Sequence, residues 1–388
     1  MVKVKLNFPI DASFLSELMY EGILYSLEKH GISFSLKEAE LEDKFAQKIF
    51  ESLNEEDYHD ININFVSIND RKNIAKLFKM FDVPEAVDNN LNRIFYELRN
   101  NYKKILVKSE IDLKMTVKGK KLLFDVVNKN NGVSLQLLKL DRYTGLSSTE
   151  SPYTSKQLTP YYSPELIIIA FLGILSSYVI TKRTAKSTFH YFLFFSPDEI
   201  SGLLSGGEKE RLNTHIRIKK QVKKTIKDVL AYTHFNEALL LELAVNASIH
   251  KAVGESQIDK VSTMLFKVSP EGQTYKIYEV LHLPIFRETI FREKIEKYFD
   301  DYEGVSVFIQ NFLKNRTVKN ALRSLNMEKK YTEADQIVIA LRNLYKFVIL
   351  GDIEGWLTFI RQLWNAHEKT KNEKGISNYL ELLRGVPW

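Results

Sequence analysis

SPELIIIAFLGILSSYVI, residues 163–180, carries apolar side chains on nearly every side of a helical projection. Ser163 is placed to cap this helix, and Pro164 takes the first helical position, where a missing amide donor costs nothing. A helix with no polar face belongs at the centre of a fold. Its apolar run, 166–180, falls short of the roughly 20 residues that a membrane span needs. Gly173, Ser176 and Ser177 inside it also favour a buried helix.

The chain around it has 388 residues, 44% of them hydrophobic and 12% aromatic, enough apolar surface to exclude general disorder. There is no cysteine, which rules out disulfides, thiolate zinc ribbons, iron–sulfur clusters and a cysteine nucleophile together. MVKVKLNFPID lacks the apolar core and small-residue cleavage site of a secretory signal, so a cytoplasmic protein is expected.

Towards the N-terminus, VKVKLNF alternates, so Val2, Val4, Leu6 and Phe8 are expected to face a core from a first strand. Ser13 and Gly31 bracket a helix. The pattern then predicts a strand at ISFSL, a helix over 37–53, a strand over 61–68, and helices over 70–81 and 84–102. Strands follow over 111–117, 121–127 and 133–140, with NKNNG as a hairpin turn. Residues 141–162 are rich in Ser, Thr, Pro and Tyr, and a loop of that length is either functional or a flexible connection. Its tyrosines, 143, 153, 161 and 162, offer stacking faces for bases.

Beyond the apolar helix, TKRTAKST is a basic elbow carrying Lys182, Arg183 and Lys186. FHYFLFFS reads as a buried strand, and SGLLSGG reads as a polar break. Another helix is expected over 235–251, and STMLFKV and TYKIYEVLHL are expected to form a hairpin. From 284 onward the period is helical, with breaks near Gly304, Asn315, Gly351 and Gly375. The expected class is α+β: a mixed α/β N-terminal lobe with antiparallel hairpins (1–140), a central core with the long loop, apolar helix and basic helix (141–283), and a C-terminal helical bundle (284–388).

The strongest charge signal is KERLNTHIRIKKQVKKTIKDVL, Lys209–Leu230. Leu212, Ile216, Val222, Ile226 and Val229 recur at helical spacing. Arg217, Lys220, Lys224 and Lys227 share one face, flanked by Lys219 and Lys223. Like charges this close destabilise a helix by a few tenths of a kcal/mol per pair. Contact with a polyanion would offset that repulsion; a merely solvated lysine-rich face is the plainer reading.

Catalytic signals are sparse. LLSGGEKERL, residues 203–212, resembles the signature stretch of ABC-type ATPases, but the chain contains no GxxxxGK[ST] loop to partner it. A Gly-Gly turn ahead of a helix, with Glu208 at its positive end, is the reading kept. Arg361 and His367 in RQLWNAH match the spacing of the arginine and histidine of HEPN ribonucleases, and so do Arg183 and His190 in RTAKSTFH. His59 and Asp60 form a lone HD pair. Neither a catalytic set nor a metal site is assigned, and no cofactor is expected.

Four stretches resemble the large subunit of archaeal type I-A CRISPR effector complexes, the Cascade class. They are VKVKLNFPIDASFLSELMYEGILYSLEKHGI, SPELIIIAFLGILSSYVI, STFHYFLFFSPDEI and HLPIF at 282–286. The resemblance implies a non-enzymatic, DNA- and RNA-binding subunit working with guide RNA, target double-stranded DNA and the other effector-complex subunits. Such a subunit contacts the target near its protospacer-adjacent motif and helps recruit a helicase–nuclease, while guide pairing supplies sequence specificity. The residues that would contact nucleic acid are the elbow and basic-helix cations named above. A HEPN-type ribonuclease using Arg361 and His367, or a protein–protein scaffold without DNA binding, are the alternatives.

Overall fold

The computed structural model describes residues 1–388 apart from 66, 85–88, 120, 140–158, 184–186, 257, 288–289, 326–329, 376, 378 and 388. The protein is α+β, as its patterning predicts. It divides into two compact units, one of residues 1–219 with 262–283 and one of residues 220–261 with 284–388. The three stretches expected in chain order thus distribute over two units. The hairpin near residue 270 accounts for this, because it pairs with a strand of the first unit and interrupts the second.

In the first unit, Val2–Lys5 (β1) turns Val2 and Val4 inward, and Leu6 and Phe8 are buried after it. Phe14–His30 (α1) follows, with Ser13 Oγ accepting the Ser16 amide. Gly31–Phe34 (β2), Glu38–Leu41 (β3) and Glu110–Asp112 (β4) complete a 4-stranded sheet ordered β2-β3-β1-β4. The helix expected over 37–53 is therefore shorter: pairing of β3 with β1 claims its first turn, and only Phe45–Ser52 (α2) is helical.

Glu55–Tyr58 (α3), Ile68–Met80 (α4) and Leu91–Asn100 (α5) come next. No strand forms over the described residues of 61–68: Asn64 makes an isolated bridge to Asn90, and Ile68 already opens α4 behind the Ser67 cap. Met115–Lys118 (β5) and Lys121–Phe124 (β6) form the hairpin, turning at Gly119, whose φ of +63° suits glycine. NKNNG is a 3-10 turn instead, and among the described residues of the expected strand over 133–140 only Val133 makes a bridge, to Tyr162. Thr159–Tyr162 (β7) lies parallel to β6.

Pro164–Ser177 (α6) is the apolar helix, buried along nearly its whole length. It crosses α1 where both backbones need glycine. A Cβ on Gly22 would lie 1.9 Å from the Ile169 carbonyl oxygen, and one on Gly173 would lie 2.0 Å from that of Leu18. Tyr178–Arg183 (β8) and Thr188–Phe195 (β9) lead to Pro197–Gly206 (α7). The expected polar break at 201–207 is thus mostly helix, capped by Ser196 and ended by Gly207 in the left-handed conformation. Lys209–Leu230 (α8) follows. Lys260–Glu271 (β10) and Thr274–Phe286 (β11) form the expected hairpin, extending a sheet ordered β11-β10-β9-β8.

The second unit is helical. Besides the end of α8 it holds Asn236–Val245 (α9), Ala247–Glu255 (α10), Ile290–Ile295 (α11), Tyr302–Lys314 (α12), Arg316–Ser324 (α13), Ala334–Tyr345 (α14), Ile353–Lys374 (α15) and Tyr379–Arg384 (α16). The helix expected over 235–251 is two helices, because Asn246 leaves the helical conformation and its Oδ1 caps α10 by accepting the Ile249 amide. The break expected near Gly304 falls just before it, between α11 and α12, and Gly304 itself lies in the first turn of α12, its amide donating to Asp301. Gly351 and Gly375 do end helical stretches, both with positive φ. Phe308, Phe312, Phe347, Trp356 and Phe359 pack edge-on or tilted in the core. Among the described residues no helix is long and apolar enough to cross a membrane.

Candidate nucleic-acid interface

Helix α8 obeys its sequence pattern almost throughout. Gly207 turns the chain and Glu208 stands just before the helix. Leu212, Ile216, Val222, Ile226 and Val229 are all buried. Arg217, Lys220, Lys224 and Lys227 are exposed, at spacings of three and four residues that keep them on one side of the helix. Lys223 is half-buried at the edge of that row.

Lys219 breaks with the expectation. Its side chain is 1% exposed and its ammonium pairs with Glu21 of α1, so it is a core residue that faces no phosphate. The cause is its phase on the helix: Lys219 lies three residues after Ile216 and three before Val222, within the apolar stripe itself. Glu21 Oε2 also accepts from Ser176 Oγ at 3.0 Å, while Oε1 accepts from the Phe195 amide at 2.9 Å. The Lys219 ammonium donates to Ser176 Oγ at 3.2 Å and stands 4.7 Å from the centre of the Phe195 ring. Burial pulls the Lys219 pKa down, opposed by the Glu21 charge.

One helical turn before Glu21, the Glu17 carboxyl is fully buried, and neither oxygen has a hydrogen-bond partner among the described residues. Burial first, then the neighbouring Glu21 and Asp11, raise its pKa well above the usual carboxylate range. This polar cluster escaped the sequence reading. Its signal was present in FLSELMYEGIL, where two carboxylates four apart interrupt an otherwise apolar helix.

A second buried polar group is His190 on β9. Its Nδ1 lies 2.8 Å from Thr181 Oγ1, which also receives the Tyr178 hydroxyl at 2.9 Å. Burial, with a smaller contribution from the charge of Arg183, pushes the imidazole pKa down to about 4.

The elbow cations stand on a different element from the helix row. Lys182 is half-buried and Arg183 exposed at the end of β8, paired in register with Phe189 and Thr188; Lys186 lies outside the described residues. Of the long loop at 141–162, residues 141–158 are likewise outside. Tyr162 is a core residue, stacked on Phe124 with its hydroxyl donating to the Leu138 carbonyl at 2.5 Å, so it offers no face to a base. Arg361 is exposed on α15, whereas His367 is 6% exposed and its Nδ1 is buried without a hydrogen-bond partner among the described residues. The two side chains therefore do not meet at one surface. Among the described residues no group of three or more His, Cys, Asp or Glu is gathered to hold a metal ion.

These features define an α+β protein with a row of exposed cations on one long helix and, in its first unit, a buried ion pair reached from that same helix. It belongs to the same family as an uncharacterized protein of Archaeoglobus fulgidus, with which it shares 38% identity over 399 aligned residues, covering 100% of both chains. No family model matches the chain, and no solved structure matches it.

Proposed function

We propose that this protein is a non-catalytic nucleic-acid-binding subunit whose contact surface is the exposed face of α8. The observation that carries this reading is the row of Arg217, Lys220, Lys224 and Lys227 on the side of the helix opposite its buried apolar stripe. Such a row supplies phosphate contacts without base specificity, which suits a protein that relies on a guide for sequence. Joined to the resemblance to archaeal type I-A large subunits, the proposal is a cytoplasmic member of a CRISPR RNA-guided surveillance complex. It would touch target DNA near the protospacer-adjacent motif, beside guide RNA and sister subunits, and help recruit the helicase–nuclease.

The test is salt-titrated binding of the purified chain to labelled duplex DNA, single-stranded DNA and RNA, with and without magnesium, with each sample inspected for cleavage. Steep salt dependence without products supports the reading. Products that disappear in His367→Ala would replace it with the ribonuclease alternative, and absence of binding to every nucleic acid would remove the helix face as a contact surface.

A protein-contact role has its own observation. Leu357 and Trp364, two turns apart on α15, are 49% and 51% exposed, an apolar pair that a partner subunit would cover. Co-purification with sister subunits that is lost in Leu357→Ser/Trp364→Ser would establish it.

A further inference from the structure

We propose that the second unit holds a binding cleft for a nucleoside phosphate, separate from the exposed row of α8 and sharing only Lys224 with it. The cleft has a volume of about 740 Å³ and lies among α8, α9, α10, α12 and α13. That is within the roughly 300–1,000 Å³ typical of small-molecule sites.

Its lining is chemically divided. Lys224, Lys314 and Lys319 come from three different helices, and among the described residues none of them is closed by an ion pair. Three ammonium groups converging on one cavity form a point-charge cradle for phosphate oxygens. Glu242, 7% exposed, and Asn246 lie on α9 and just after it. The Glu242 carboxyl is held towards its protonated form by burial, against the pull of Lys314 and Lys319. Asp228 lines the cleft as well, so even with both carboxyls ionised the three ammonium groups outnumber them and the lining stays net positive.

The rest of the lining selects what the anion is attached to. Gln221 and Ser248, exposed in the lining, offer donors and acceptors suited to sugar hydroxyls or base edges. Val229, Ile249, Leu313 and Tyr232, each 1–5% exposed, form the apolar floor of the cleft, with the Lys319 ammonium 4.8 Å from the centre of the Tyr232 ring. A bare phosphate would fill only a small part of the cleft, whereas a nucleoside phosphate is of a size to occupy it. The same chemistry arrives either as a free mononucleotide or as the phosphorylated end of a strand.

The experiment is calorimetric titration of the full-length protein with AMP, CMP, GMP and UMP in turn, with adenosine, ribose 5-phosphate and inorganic phosphate as controls. At least one monophosphate is expected to bind, and each control to bind at least about tenfold more weakly, in line with the loss of charged hydrogen bonds or of the base contact. Lys314→Gln, at an exposed site that spares the fold, should weaken binding about tenfold, and Lys314→Gln/Lys319→Gln further. Lys220→Glu/Lys227→Glu, which alters the helix row but not the cleft, should leave nucleotide affinity unchanged; this separates failure of the cleft from failure of the nucleic-acid reading. Displacement of the nucleotide by a 5′-phosphorylated tetranucleotide would assign the cleft to a strand end, and its retention to a free nucleotide. No heat from any monophosphate, controls as tight as the monophosphates, or full affinity in the Lys314 and Lys319 variants would overturn the proposal.

Discussion

Glu21 and Lys219 form an ion pair in the interior of the first unit, each side chain 1% exposed, with Ser176 and the Phe195 amide completing the carboxylate's hydrogen bonds. Both charges are removed from water, so their attraction has to offset a desolvation cost of several kcal/mol per ion. The asymmetry of such a pair is its testable property. Lys219→Met leaves an unpaired buried carboxylate and should lower unfolding free energy by about 3–5 kcal/mol in urea titrations, whereas Glu21→Gln/Lys219→Met should recover most of that loss. A single-variant loss under about 1 kcal/mol would mean that water reaches the pair.

Gly22 and Gly173 set how closely α1 and α6 approach. With a Cβ placed 1.9 Å from Ile169 O or 2.0 Å from Leu18 O, no rotamer relieves the clash, and the helices must separate. Gly22→Ala and Gly173→Ala should each cost about 3 kcal/mol, at the upper end of overpacking penalties, despite adding a single methyl group and improving helix propensity. Thermal unfolding of the two variants checks this; a stabilised Gly173→Ala would show that the crossing is looser than the structure has it.

What the sequence disclosed follows the range of the interactions involved. The apolar helix, its Ser163 cap, the alternation in β1 and the 22-residue span of α8 were all legible, because period and capping are local. Pairing of β3 with β1 was not, since the residues it takes from an expected helix answer to a strand more than thirty positions away. Lys219 shows the same limit at the candidate site. Its phase places it among apolar neighbours, while its charge and its basic surroundings point to the surface. Only its partner, 198 residues earlier, explains why the core accepts it. Arg217, Lys220, Lys224 and Lys227 are exposed, as helical phase alone implies.

His190 makes the first unit sensitive to acid. Its pKa falls from 6.5 to about 4 on folding, so between those values the unfolded chain binds the extra proton. The stability it contributes is therefore full above about pH 6.5 and is lost as pH drops towards 4, a total of roughly 3 kcal/mol at 1.36 kcal/mol per pKa unit. His190→Asn keeps a polar group near Thr181 Oγ1 but cannot titrate. Urea midpoints measured from pH 7 to pH 4 should fall more steeply for the natural protein than for the variant, and parallel curves would show that another group carries the acid response.

The exposed row of α8 gives the most direct test of function. Lys220→Glu/Lys224→Glu/Lys227→Glu reverses charge at three exposed positions without touching the buried stripe, so circular dichroism and unfolding midpoints should change little. If each lysine neutralises one phosphate, the slope of log affinity against log salt should fall by about 0.9 per contact on duplex DNA, close to three in all, with the largest loss of affinity at low salt. The 220/224 and 224/227 pairs stay like-charged in this variant, so helix stability should change little while binding is lost. Filter binding across a salt series on natural and variant protein measures the slope directly. Equal slopes would assign the row to solvent and leave the elbow cations Lys182 and Arg183 as the next surface to reverse.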